Sequence, residues 1–198
     1  MKQLYIVLAI VLLSGCTTKV PNVTEYRIST DKIKVDSKKS SCQNISLRVN
    51  QAFSSSSLMT TKMNYAYGKY QQDSFSQSEW AESPNKAITS EVIDYVQELK
   101  LFKSVHNSKS KSKNNMMLEV NIEEFMQYFS KDEKESFANA AITFTLIDKK
   151  NGEIIDSFRS TSQVDTKTLD ADGGVEALNS ALAEVLNETG VWLGEVCK

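Results

Sequence analysis

The chain has 198 residues, of which 40% are hydrophobic, and its 23 basic and 25 acidic side chains leave a net charge of −2. This near balance gives no large positive field for nucleic acid, and the hydrophobic content is ordinary for a globular protein. Only 7 glycines and 2 prolines occur, which argues against a low-complexity chain. The length suits one domain with its own core.

The amino terminus has the layout of a secretory signal peptide. Lys2 supplies a positive charge, an apolar run follows over residues 4–13, and Leu13-Ser14-Gly15-Cys16 ends the segment. This run is about half of the roughly 20 residues that a membrane-spanning helix needs. A cysteine directly after small residues resembles the bacterial lipobox, whose thiol accepts a lipid. We therefore expect residues 1–15 to be a lipoprotein signal peptide and Cys16 to be acylated. The alternative is an ordinary secretory signal with an accidental cysteine.

The polar residues 16–41 indicate a lipidated N-terminus and a tether. Fully extended, this segment would reach up to roughly 80 Å from the membrane. Within it, Tyr26-Arg27-Ile28 is the one stretch suited to docking on the domain. If Cys16 carries lipid, Cys42 and Cys197 remain as an even pair in an oxidising compartment, so we expect a disulfide between them. Two free, buried thiols are the alternative.

We predict a single periplasmic domain over residues 42–198. Its first strand is indicated by Ile45, Leu47 and Val49, which alternate with polar residues. Residues 58–70 predict one long strand or two joined strands, and residues 71–78 a polar connection. Ser83 and Pro84 suit the cap and first position of a helix that ends near residue 100.

The second half of the domain predicts a meander and a long helix. Residues 104–115 indicate a solvated polar loop with three lysines, and strands follow over residues 116–129, 140–148 and 153–164. Between the last two strands, Asn151-Gly152 favours a type I′ turn. An amphipathic helix ends near Val196. This order predicts an α+β two-layer sandwich, with a mainly antiparallel sheet and two amphipathic helices on one face.

The sequence lacks the usual catalytic and metal-binding constellations. His106 is the only histidine, and there is no Gly-rich phosphate loop or HExxH motif. Glu123 and Glu124 are adjacent in a predicted strand, so we expect them to point to opposite faces and not to share a substrate. We therefore expect a protein that is not an enzyme and has no cofactor or metal.

A series of short motifs follows along the chain. After the lipobox come Tyr26-Arg27-Ile28 and Tyr65-Ala66-Tyr67, and then Trp80-Ala81-Glu82-Ser83-Pro84, which precedes a helix that ends in Leu101-Phe102. The next motifs are Val120-Asn121-Ile122-Glu123-Glu124-Phe125 and an Asn-Gly hairpin. The last is Val175-Glu176-Ala177-Leu178-Asn179, in a helix that ends near Trp192-Leu193. In order and spacing they resemble the auxiliary lipoprotein component of ABC-type transport systems, which includes the paraquat-inducible protein C-like lipoproteins. Two features depart from that family: a longer link between Tyr70 and Trp80, and Ser83 where a second proline is frequent.

The resemblance implies a non-catalytic role. Such lipoproteins are envelope partners of ABC systems whose periplasmic subunits carry a mammalian-cell-entry domain and which move lipids or other hydrophobic molecules. It also implies an anchor in the inner leaflet of the outer membrane, facing the periplasm. Thr17 is compatible with this address, because aspartate after the lipidated cysteine is the usual inner-membrane retention signal. A lipoprotein activator of a periplasmic cell-wall synthase is the alternative, and a lipid carrier with its own cavity ranks third.

Three aromatic residues are candidates for contact with a partner. Tyr70, Phe75 and Trp80 span a strand end and a polar connection, where not every ring can face one core. Exposed rings bury much area at little entropic cost, so we expect some of these three to contact a partner subunit or another copy of the chain. Phe75 has the most polar neighbours and is the best candidate for exposure. Trp80 has the alternative of filling the junction between helix and sheet.

Overall fold

The computed structural model describes residues 22–30 and 40–198, so the signal peptide and Cys16 lie outside the described residues. The described part contains nine strands in one sheet and two α-helices. The strands are β1 (Thr24–Tyr26), β2 (Ser46–Val49), β3 (Phe53–Ser54), β4 (Lys62–Tyr67), β5 (Gln71–Trp80), β6 (Ser104–Asn107), β7 (Met116–Phe129), β8 (Ser136–Asp148) and β9 (Ile154–Asp165). The helices are α1 (Pro84–Glu98) and α2 (Ala171–Val196), and short 3₁₀ turns lie at Ser41–Asn44 and Ser56–Met59.

The sheet is organised around β7. On one side β8 runs antiparallel to β7 along its whole length, and β9 pairs antiparallel with β8. On the other side β2, β3 and β4 lie one after another along β7, all parallel to it. Beyond them the sheet divides, with β6 next to β2 and with β5 and then β1 next to β4. The long antiparallel meander of β7, β8 and β9 is as predicted, whereas the parallel pairs were not foreseen.

Both helices pack on one face of this sheet. The side chains of β8 that face them alternate along the strand and are buried: Ala138, Ala140, Ile142, Phe144 and Leu146. On α2, a Cβ at Gly174 would lie 2.0 Å from Gln127 Oε1 of β7, so the helix backbone approaches the sheet directly. A Cβ at Gly190 would lie 2.2 Å from the Tyr95 hydroxyl of α1, which places the two helices in contact. The predicted α+β two-layer sandwich is confirmed.

The helices begin and end close to the predicted positions. In α1, Ile88, Val92 and Val96 recur at helical spacing and are fully buried. Asp170 caps α2 by accepting a hydrogen bond from the backbone N–H of Gly173 at 3.0 Å. Contrary to the prediction, the Ser83 side chain does not cap α1. Its hydroxyl is buried and has no hydrogen-bond partner. Neither helix in the described ranges is long and apolar enough to cross a membrane.

Three local predictions were wrong. The expected polar connection over residues 71–78 belongs to β5, and part of the expected polar loop after residue 104 is β6. Both strands are held by backbone pairing with a neighbour and bury few side chains, so their sequences carry little apolar alternation. The Asn151-Gly152 hairpin forms, but only Gly152 has a positive φ, of 77°, so the turn is not of type I′.

Part of the predicted tether lies on the domain. β1 pairs in parallel with the end of β5, Thr24 opposite Ser78 and Tyr26 opposite Trp80. The docking expected at Tyr26-Arg27-Ile28 is confirmed for Tyr26 and Ile28, since the Ile28 side chain is buried in the core. Residues 22–30 are therefore part of the folded unit and not of a free tether.

Hydrogen bonds fasten this docked segment to both helices. The Tyr26 hydroxyl donates to Asp172 at 2.8 Å, and the backbone N–H of Ser29 donates to Asn179 at 3.1 Å, both on α2. The backbone N–H and the hydroxyl of Thr30 donate to the Glu91 carboxylate of α1 at 2.8 and 2.6 Å. The segment therefore crosses from the sheet edge over the helical layer.

Candidate functional site

The predicted disulfide joins the two ends of the domain. Cys42 and Cys197 are bonded and buried, with their Cα atoms 5.3 Å apart and 155 residues apart in sequence. Cys42 lies in the turn before β2, and Cys197 directly follows α2. The backbone N–H of Ser41 also donates to the Cys197 carbonyl at 2.8 Å. The end of the helical layer is thereby fixed to the start of the sheet.

Trp80, one of the three candidate contact residues, belongs to the core. Its side chain is only 3% exposed, and its ring centroid lies 6.1 Å from that of Phe125. Its backbone N–H donates to the Thr61 carbonyl at 2.7 Å. Trp80 therefore fills the junction between β5 and the start of α1, which was the alternative interpretation of this residue.

Phe75 is half-buried, so the expectation that its ring is exposed was wrong. Its ring centroid lies 4.7 Å from that of Tyr65 and 6.4 Å from that of Phe129. Tyr67 completes this aromatic cluster, at 5.5 Å from Tyr65 and 5.6 Å from Phe129. Desolvation, and then a hydrogen bond with Glu133, raise the pKa of Tyr67. The aromatic cluster, which consists of Tyr65, Tyr67, Phe75 and Phe129, covers the helix-side face of the sheet beyond the start of α2.

Tyr70 is the candidate that the structure leaves exposed. It lies in the turn of the β4–β5 hairpin, where Gly68 adopts a φ of 57°, and its side chain is 90% exposed. The Lys69 ammonium lies 5.9 Å from the centre of its ring. Of the three residues, only Tyr70 presents its ring to a molecule outside the chain.

Substitution at Phe75 should therefore affect stability. We expect Phe75→Ala to lower the free energy of unfolding by about 2 kcal/mol, because a half-buried ring loses its aromatic neighbours. Tyr70→Ala is the matched control and should change stability by less than about 0.5 kcal/mol. Urea unfolding followed by circular dichroism measures both values. Equal small effects would show that the aromatic cluster is not packed as described.

A β-bulge in β7 changes the expected arrangement of two carboxylates. Ile122 lies opposite Ile142 and Glu124 opposite Ala141, so Glu123 is the extra residue. Glu123 accepts from the Thr143 hydroxyl at 2.6 Å, and Glu124 accepts from Asn139 Nδ2 at 2.6 Å. Thr143 and Asn139 share one face of β8, so the expectation that the two glutamates point to opposite faces was wrong.

Both glutamates have hydrogen-bonding partners on the open face, which is the face of the sheet that the helices leave uncovered. The bond from Thr143 and then that from Arg159 lower the pKa of Glu123, whose carboxylate is 2.7 Å from Arg159 Nε. Glu124 also accepts a hydrogen bond from the Tyr128 hydroxyl. Both carboxylates are acceptors in a polar network, and the lowered pKa of Glu123 does not favour a general acid there.

A polar groove lies beside this network. It has a volume of about 310 Å³ and is lined by Asn50, Gln51, Phe53, Glu119, Val120, Asn121, Thr143 and Thr145. Phe53 of β3 is 69% exposed. Sequence reasoning missed this groove, because it forms where the sheet divides next to β7. The alternation of polar residues along β7 was the only signal of an uncovered face.

The remaining candidates for chemistry are not assembled into a site. His106 lies in β6 and not in a loop, and its Nε2 is 3.1 Å from the Ser104 hydroxyl. In the described ranges, no group of three or more His, Cys, Asp or Glu side chains is arranged to hold a metal ion. The Arg48 guanidinium donates to the carbonyls of Ser110 and Ser112 at 3.0 and 3.1 Å, which holds the lysine-containing loop after β6.

The fold is similar to solved structures, although no protein-family model and no curated protein matches the sequence. Protein XCC0632 from Xanthomonas campestris, of the family model DUF330, superimposes with a TM-score of 0.77 over 88% of this chain and 96% of its own, at 13% identity. An uncharacterized protein superimposes with a TM-score of 0.66 over 87% of this chain and 99% of its own, at 13% identity. Lipoprotein GNA1162 from Neisseria meningitidis has a TM-score of 0.42 over 74% of this chain and 99% of its own, at 9% identity. The chain therefore has the α+β fold of protein XCC0632.

Proposed function

We propose that this chain is a non-catalytic lipoprotein subunit of an ABC-type transport system with a mammalian-cell-entry domain, which moves lipids or hydrophobic molecules across the cell envelope. The lipobox-like Leu13-Ser14-Gly15-Cys16 supports an acylated Cys16, and the order of motifs along the chain supports the transport role. The anchor lies in the inner leaflet of the outer membrane, with the domain in the periplasm.

One observation carries the proposal, namely the docking of residues 22–30. A lipid on Cys16 is followed within six residues by a segment that is paired with β5 and hydrogen-bonded to both helices. Because residues 22–30 contact both layers, only five residues would separate a lipid on Cys16 from the folded domain. This short connection suits an envelope subunit that is anchored through its N-terminus.

The chemistry of the open face also supports a role in contact and not in catalysis. Glu123 and Glu124 already accept hydrogen bonds from neighbouring side chains, and His106 is bonded to a serine in an edge strand. Six of the eight residues that line the groove beside them are polar, which does not favour the lipid-carrier alternative.

The competing proposal is a lipoprotein that activates a cell-wall synthase. Photo-crosslinking in intact cells distinguishes the two, with the crosslinking amino acid placed at Phe53, Ile154 or Val191. These exposed positions sample the open face, the β8–β9 hairpin and the helical layer. A crosslink to a subunit with a mammalian-cell-entry domain supports the transport role. Crosslinks to a peptidoglycan synthase alone would contradict it and favour the activator.

A further inference from the structure

The domain has two ends along the direction of its long strands. The hairpin end consists of the β4–β5 turn, the turn between β7 and β8 and the loop after β9. These connections lie together because Tyr67 is opposite Phe129, Phe129 is opposite Ser136, and the Thr166 N–H donates to the Ser136 carbonyl. The far end consists of the β8–β9 hairpin and the Cys42–Cys197 disulfide.

The docked N-terminal segment enters the domain from the hairpin end. β1 is parallel to β5, and β5 begins directly after the hairpin turn, so the chain before Thr24 approaches from that side. The contacts with α2 give the same direction. Tyr26 bonds Asp172 in the first turn of α2, whereas Ser29 bonds Asn179, which is two turns closer to Cys197.

The docking also shortens the reach of the anchor. Only six residue steps separate Cys16 from Asn22, which is at most about 21 Å of extended chain and not the roughly 80 Å of an undocked tether. The parallel register places Asn22 level with Ser76, and five strand residues from there to Gln71 span at most about 17 Å. A lipid on Cys16 can therefore lie no farther than about 21 Å from Asn22, and the hairpin turn lies within about 17 Å of the same residue.

The hairpin end carries side chains of the types that are found at membrane interfaces. Tyr70 presents an exposed ring with a polar hydroxyl, a type of side chain that concentrates at the headgroup level of bilayers. Lys69 lies beside this ring, and a lysine can keep its ammonium in water while its stem lies on apolar surface. Leu169, in the loop after β9, adds a partly exposed apolar side chain.

Positive and negative side chains are mixed at the hairpin end. An attraction to a lipid surface would therefore come from the Tyr70 ring and not from a positive electrostatic field. Four lysines occur there, with acidic side chains interspersed: Lys69, Lys131, Lys134 and Lys167, with Asp73, Asp132, Glu133, Glu135, Asp165 and Asp170. The attraction to lipid therefore does not depend on anionic headgroups.

We propose that the hairpin end rests on the lipid surface, with the Tyr70 ring in the headgroup region next to the lipid on Cys16. The anchor and the ring together hold the domain in one orientation, in which the far end points away from the membrane. This proposal rests on the acylation of Cys16 proposed above. It assigns to Tyr70 a lipid contact in place of a contact with a protein partner.

The test uses the full acylated chain bound to phosphatidylcholine vesicles with bromine on the acyl chains, which quenches tryptophan near the bilayer. Tyr70→Trp places a probe at the hairpin end, and Ile154→Trp places one at the far end, where Ile154 is 65% exposed. The native Trp80 and Trp192 are buried and common to both variants. We expect brominated lipid to reduce the added fluorescence of Tyr70→Trp at least threefold and to leave that of Ile154→Trp nearly unchanged.

Each other result would overturn the proposal. Equal quenching of the two probes would show that the domain has no fixed orientation. An unquenched Tyr70→Trp in acylated, vesicle-bound protein would exclude a lipid contact and return Tyr70 to the protein-contact hypothesis. Mass spectrometry of the same sample tests separately whether Cys16 is acylated. A chain without lipid on Cys16 would contradict the proposed lipoprotein function as well as the membrane contact of Tyr70.

Discussion

Replacement of both Cys42 and Cys197 by alanine should lower the free energy of unfolding by on the order of 5 kcal/mol. The bond closes a loop with a sequence separation of 155 residues, and in the chain-entropy model the stabilisation grows with the length of the closed loop. Because single domains unfold at a cost of about 5–15 kcal/mol, the loss is a large fraction of the total. Urea unfolding of the mature domain measures it, with reduced unsubstituted protein as the control.

The double variant and the reduced protein should have similar stabilities, since both remove the same crosslink. Mass spectrometry without reduction should find the Cys42 and Cys197 peptides joined. A loss below about 1 kcal/mol in both samples would show that the bond does not restrict the unfolded chain as the entropy model requires.

Phe144→Ala should be the most damaging single change in the core, with an expected loss of about 3–5 kcal/mol. Phe144 is fully buried in β8, between Val120 of β7 and Phe158 of β9, on the face that α2 covers. Truncation of the ring leaves a cavity that neighbours on three strands and a helix cannot fill without moving.

Phe53→Ala is the matched control for this change, because the same residue type is mostly exposed there. It should alter the free energy of unfolding by less than about 0.5 kcal/mol. Both variants are measured by the same urea titration. Similar losses at the two positions would contradict the described division between the buried helix-side face and the open face.

The sequence predicted best the elements whose side chains alternate between core and solvent. β7, β8 and the two helices bury a regular series of apolar residues, so their periods of 2 and 3.6 are visible in the sequence. β9 is less regular, because the residues that it buries are Ser160 and Ser162. The disulfide followed from cysteine arithmetic. β5 was missed because its polar sequence is held by backbone pairing with β4 and β1.

The features of the candidate surfaces depend on contacts distant in sequence. The bulge at Glu123 places two adjacent glutamates on one face, and the sequence of β7 has no Gly or Pro to signal it. Phe75 was expected to be exposed and is half-buried, because Phe129, more than 50 residues further along the chain, packs on it. Likewise, residues 22–30 dock through Asp172, Asn179 and Glu91, which no local pattern connects with them.

The central claim, a lipid anchor on Cys16, is tested most directly by metabolic labelling with a radioactive fatty acid. The unsubstituted chain should incorporate the label and shift in mass by the acyl groups. Cys16→Ser should incorporate none and should accumulate as an uncleaved or unlipidated species, because serine lacks the thiol that accepts the lipid. Label on the Cys16→Ser chain equal to that on the unsubstituted chain would contradict the lipoprotein assignment.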